Sequence, residues 1–144
     1  MPPASNRVTI QACSWDLEQL PGLNEELHRQ FQSLGLETTT ALLHEGTTPE
    51  QCNAIASQLH LPLQQVKKWV AMSDLARLPS VGCEYCGILL HSGIASVSQL
   101  AHTPVHRLHR QILRMQVSTL QRRDLCPPVQ EVQKWVREAQ VLQS

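Results

Sequence analysis

Aromatic residues are scarce. One Phe, one Tyr and three Trp stand among 144 residues, and the apolar content comes mostly from Leu, Val, Ile and Ala. That mixture suits the packing of helices better than a sandwich of aromatic-rich strands. No apolar run approaches the roughly 20 residues of a membrane span, so no membrane span is expected. The opening "MPPASNRVTIQACSW" lacks a charged region followed by an apolar core, and is not expected to act as a secretory signal. The cysteines are five, an odd number at irregular spacing. A disulfide framework is therefore not expected, and reduced thiols in a cytoplasmic setting are. Paired carboxylates, a nucleophile elbow and a phosphate loop are all missing, so neither an enzymatic activity nor a cofactor is expected.

Net charge is lacking too, but the zero total hides an uneven chain. Residues 1–60 carry two basic and seven acidic residues, a net of −5, whereas residues 61–144 carry ten basic and five acidic, a net of +5. No acid lies between Glu84 and Asp124, and that interval holds Arg107, Arg110, Arg114, Arg122 and Arg123. Such polarity bears on partners and orientation, including self-association of the acidic half of one copy with the basic half of another.

A repeat is present. "PLQQVKKWV" (Pro62 to Val70) and "PVQEVQKWV" (Pro128 to Val136) share six of nine positions. Upstream, Asp16, Leu17, Leu20, Pro21, Gly35 and Leu42 match Asp74, Leu75, Leu78, Pro79, Gly93 and Leu100 at an offset of 58. Thr48-Pro49 matches Thr103-Pro104 at an offset of 55, and the Trp peptides match at 66. The second copy is thus longer by about eleven residues, expected within "HRQILRMQVSTLQRRDLC".

Each copy reads as helix, hairpin, helix, short helix, Thr-Pro-capped helix and Trp helix. In the first, Ser14 is the expected cap of a helix over Trp15, Leu17 and Leu20. Leu27, Phe31 and Leu34 share a helical face closed by Gly35. Residues 40–45 form a short helix before Gly46. Thr48-Pro49-Glu50-Gln51 is a capping box with Pro at the first helical position. Leu63, Val66, Trp69 and Val70 line the next helix, and no strict alternation favours strands. Trp69 and Trp135 are expected to pack, each closing its repeat against a hairpin. The expected fold is all-α: two tandem degenerate helix-hairpin-helix repeats forming one compact helical domain. Residues 1–13 are a loose arm, 14–72 the first repeat, and 73–144 the second with its basic insertion.

The turns Pro21-Gly22-Leu23-Asn24 and Pro79-Ser80-Val81-Gly82 resemble the helix-hairpin-helix motif, whose turn normally reads apolar-Gly-apolar-Gly. In that motif the turn amides and the following helix N-terminus grip phosphate without reading sequence. Here each turn keeps one of its two glycines, with Asn24 and Ser80 at the other positions. The motif's usual Ala position holds His28 in one copy and Cys86 in the other. Glu25 and Glu26 follow the first turn and Glu84 the second, where a carboxylate satisfies the helix N-terminus and repels phosphate.

Over Trp15 to Leu142 the chain is similar to a bacterial family of domains of unknown function, number 4332, common in cyanobacteria. The similarity rests on "LPGLN", "LGLETTTALL", "TPEQ", "KKWVAMSDLARLPSVGCEYCGILLHSGI" and "RRDLCPPVQEVQKWVREAQVL" in that order. The resemblance implies paired helix-hairpin-helix units and no established catalytic residues.

Two other groups invite chemistry. Cys83 and Cys86 form a single C-x-x-C, the weak candidate for a metal or redox site. A structural zinc needs two more ligands, from Cys13, Cys52, Cys126 or His91. The packing alternative places Cys83 at a helix start and Cys86 in the core. His102, His106 and His109 lie close together, but no acid among them orients an imidazole. The leading expectation is a non-enzymatic adapter binding a protein complex through its dipolar surface and Arg-rich helix. The alternative is sequence-nonspecific binding of DNA or RNA backbone through the hairpins and the same arginines.

Overall fold

Local sequence accounts for most helix ends. The structure, a computed structural model, describes residues 10–116 and 127–143. Among them the regular elements are helical: α1 (Glu25–Ser33), α2 (Thr39–Glu45), α3 (Pro49–Leu59), α4 (Leu63–Leu75), α5 (Gly82–His91), α6 (Val97–Ala101), α7 (Val105–Met115) and α8 (Val129–Gln143). Asn24, Thr38, Thr48 and Ser96 cap α1, α2, α3 and α6, each side-chain oxygen accepting a backbone N–H three residues on. Thr48 and Gln51 form the full reciprocal box. At the other end, α1 and α5 stop in the same way. Gly35 and Gly93 take φ of +78° and +96°, and the following Leu36 and Ile94 donate N–H to the Phe31 and Leu89 carbonyls at 3.0 and 2.9 Å. That is the Schellman closure, in which only a residue tolerant of left-handed backbone fits. Leu36 and Ile94 are both buried beside it.

Packing follows the helical period. Val66, Trp69, Met72 and Leu75 are the buried face of α4; Val132, Trp135, Val136 and Ala139 are that of α8. α4 packs on α2, α3 and α5, and α8 packs on α6 and α7. One continuous core results, including Leu17, Phe31, Leu42, Leu78, Leu89, Leu100, Leu108 and Ile112. The two Trp helices are its two struts, and α4 runs unbroken through residues 72 and 73, the boundary expected from the sequence between the repeats.

Two expectations are corrected. The helix expected from Ser14 is a single 3-10 turn, Leu17–Gln19. The backbone before it pairs sideways instead. Trp15 N–H donates to Thr39 Oγ1 at 3.0 Å, Thr39 N–H to the Trp15 carbonyl at 2.8 Å, and Leu17 N–H to the Glu37 carbonyl at 3.0 Å. Asp16 and Thr38 form an isolated β-bridge, and Pro21 would clash with the Leu17 carbonyl of any longer helix. The second correction concerns Thr103, expected to cap α7. Its hydroxyl donates to the Gln99 carbonyl at 2.7 Å, and Pro104 occupies the cap position without a side-chain acceptor.

No described helix is long and apolar enough to cross a membrane. Arg122, Arg123, Cys126 and most of the expected basic insertion lie outside the described residues.

Candidate functional site

The second turn is built by the end of α4. Asp74 closes it twice: Oδ1 pairs with Arg77 at 2.6 Å and Oδ2 accepts the Val97 N–H of α6 at 2.8 Å. Trp15 braces the turn from outside, donating Nε1–H to the Ala76 carbonyl at 2.8 Å. Its ring lies over Gly82, where an added Cβ would meet Trp15 Cζ2 at 3.3 Å. Gly82 itself has φ of +50°.

The turn amides already have acceptors. Ser80 N–H donates to Glu138 Oε1 at 3.0 Å, and its hydroxyl donates to Oε2 at 2.5 Å. Val81 and Gly82 N–H both donate to the Leu78 carbonyl, at 3.0 and 2.9 Å. Glu138, on α8, thus puts a carboxylate against the Ser80 amide.

The first turn is enclosed differently. Gly22 has φ of +87° and faces the Trp69 ring, and Pro21 lies against Gly87 of α5. Asn24 Oδ1 accepts the Leu27 N–H at 2.8 Å. Glu25 and Glu26 are exposed on the first turn of α1, so the field there repels anions.

α7 carries the basic residues. Leu108 and Ile112 bury one side, while Arg107, Arg110 and Arg114 are exposed on another at helical spacing. Among the described residues none of the three is paired with an acid; the ion pairs are Arg29 with Glu25 and Arg77 with Asp74. The seven acids of residues 1–60 are all exposed, so the charge asymmetry of the sequence is an asymmetry of the surface.

Residues 21–142 match the family described as domain of unknown function 4332 (DUF4332). The chain belongs to that family. No curated protein and no solved structure matches it.

In this DUF4332 chain the remaining candidates separate. Trp69 is buried against the first turn, with Lys68 Nζ 4.8 Å from its ring centroid. Trp135 is buried against Tyr85 of α5, ring centroids 4.9 Å apart. Burial pushes the Cys83 thiol up, and pushes that of Cys86, with the neighbouring Cys83 adding to it, up to about 12. Cys86 Sγ–H points to the Cys83 carbonyl at 3.8 Å, so Cys86 is a small core residue with a protonated thiol. Among the described residues no three of His, Cys, Asp and Glu stand where they could hold one metal ion. The histidines diverge as well. His102 Nδ1 bonds the Ser98 carbonyl at 2.8 Å and His109 Nε2 the Pro127 carbonyl at 3.1 Å, while His106 is exposed.

Trp15 and Glu138 emerge as residues that sequence reasoning missed. Both act on the second turn from far along the chain, 61 and 58 residues from their bonding partners. No local motif marks such contacts.

Proposed function

We propose that the chain is a non-enzymatic adapter, made of two degenerate helix-hairpin-helix repeats, that docks on an acidic protein surface through the arginine face of α7. The observation that carries this reading is the set Arg107, Arg110 and Arg114, exposed on one side of a helix whose other side is anchored in the core. Like charges three and four residues apart on a helix repel one another. A partner carrying carboxylates relieves that repulsion, and each guanidinium fork can take a carboxylate through two hydrogen bonds. One such partner is the acidic first half of a second copy.

Three observations favour protein over nucleic acid. The amides of Ser80, Val81 and Gly82 are taken within the chain. Glu25 and Glu26 oppose phosphate at the first turn. The described arginine face has no aromatic residue on which bases could stack. A cytoplasmic setting fits the four described cysteines, all free thiols.

The test is affinity capture from the native cell with nuclease present, comparing the wild-type chain with the R107Q/R110Q/R114Q variant. The adapter reading expects a protein partner that survives nuclease and is lost from the variant. Loss of all captured material on nuclease treatment would indicate nucleic acid instead.

A further inference from the structure

The charged faces of this chain come as a complementary pair. Residues 1–60 carry a net of −5 and residues 61–144 a net of +5. On the basic side, Arg107, Arg110 and Arg114 span about 10 Å of α7 at ~1.5 Å per residue. Leu108 and Ile112 are fully buried on the same helix, so the backbone that carries the arginines is fixed to the core.

The acidic side has a patch of matching size. The Asp16–Thr38 bridge brings Asp16, Glu18 and Glu37 together. Leu17, between the first two, donates its N–H to the Glu37 carbonyl at 3.0 Å. Asp16 and Glu18 are two residues apart, at most about 7 Å of chain. All three carboxylates are exposed, while the adjoining Leu17 and Thr39 are buried and pin the backbone beneath them.

Both patches are unneutralised in the single chain. Among the described residues the ion pairs are Arg29 with Glu25 and Arg77 with Asp74, and neither involves these six side chains. Like charges crowded on one helix face, or across a pair of extended segments, repel one another. Each patch is what the other needs to relieve that repulsion.

We propose that the partner of the arginine face is a second copy of this chain, whose Asp16, Glu18 and Glu37 receive Arg107, Arg110 and Arg114. This rests on the adapter reading of the arginine face and names the surface on which it docks. Three guanidinium forks meet three carboxylates over a similar span, and each fork can take a carboxylate through two hydrogen bonds. The contact is heterologous: the basic patch of one copy meets the acidic patch of the next. Repeated, such a contact closes into a ring or extends as a filament.

Sedimentation velocity of the full chain at about 50 mM salt, over a range of protein concentrations, tests the proposal. Reversible association is expected, weakened on the order of tenfold by about 300 mM salt, because exposed pairs are screened. R107Q/R110Q/R114Q and D16N/E18Q/E37Q should each weaken it roughly ten- to a hundredfold, as for loss of three exposed pairs. Both variants should keep the wild-type circular dichroism, since all six side chains are exposed. E26Q/E45Q/E50Q removes as many acids elsewhere and should associate as the wild type does. The decisive sample is an equimolar mixture of the two defective variants. One supplies the acids and the other the arginines, so a two-chain complex should form although neither variant associates alone. A wild-type chain that stays monomeric at low salt would overturn the inference and leave a different acidic protein as the occupant, which the capture experiment tests separately. A mixture that stays monomeric, or equal weakening by E26Q/E45Q/E50Q, would overturn it too.

Discussion

Glu138 holds Ser80 by both its backbone N–H and its hydroxyl, at 3.0 and 2.5 Å, and so ties the last helix to the turn between α4 and α5. Both bonds are charge-assisted and only partly exposed. Glu138→Ala should lower unfolding free energy by about 1–2 kcal/mol, read from denaturant midpoints at neutral pH. Ser80→Ala should cost much less in the Glu138→Ala background than alone, because the two residues share one interaction. Equal costs in both backgrounds would mean that the contact contributes nothing.

Trp15 and Gly82 form the second brace of the same turn. Gly82→Ala places a Cβ on a residue with φ of +50° and presses it toward the indole at 3.3 Å. A loss of about 1–2 kcal/mol is expected, from backbone strain and crowding together. Trp15→Phe should cost about 1 kcal/mol through the Ala76 carbonyl left without its donor. Thermal unfolding of the two single variants and the double variant checks this, with less than additive losses expected.

Gly46 is fixed by space. A Cβ there would lie 2.6 Å from Val70 Cγ2 and 3.1 Å from the Leu42 carbonyl. Gly46→Ala should destabilise by about 1–3 kcal/mol, as overpacking does. In a Val70→Ala background the further cost of Gly46→Ala should shrink, since the offending methyl is gone. A penalty unchanged by Val70→Ala would locate the strain in the backbone.

Alkaline pH should act through Cys86. Burial, above all, pushes its thiol in the folded chain from the ordinary 9.0 up to about 12. The unfolded chain therefore loses that proton first. Stability from this group is complete below pH 9.0 and falls as pH rises to about 12, with a slope of up to ~1.4 kcal/mol per pH unit. Cys86→Ala should flatten the wild-type slope in that interval. Part of the slope will remain, because Cys52, Cys83 and Tyr85 are pushed in the same direction.

What could be read from sequence was local. The Thr48/Gln51 box, the left-handed Gly35 and Gly93 and the buried faces of the two Trp helices each depend on residues a few positions apart. The all-helical fold followed from them. The 3-10 turn at Leu17–Gln19 was hidden because Thr39, far along the chain, takes the Trp15 backbone groups. Thr103-Pro104 looked like Thr48-Pro49, yet the residue three beyond Thr103 is His106, where Gln51 closes the box at α3. With no returning acceptor there, the Thr103 hydroxyl bonds backward to Gln99. The arginine face was legible from helical spacing. The Glu138 contact with the second turn was not, because a partner 58 residues away leaves no trace in the turn's own sequence.

The central claim is that the turns hold themselves together and leave the arginine face for a protein partner. Titration of the purified chain with a short mixed-sequence duplex, repeated between about 50 and 200 mM salt, tests it most directly. The account predicts no more than weak binding at low salt, carried by the α7 arginines and indifferent to Ser80 and Gly82. Tight binding that falls steeply with salt and is abolished by substitutions at Ser80 or Gly82 would contradict it.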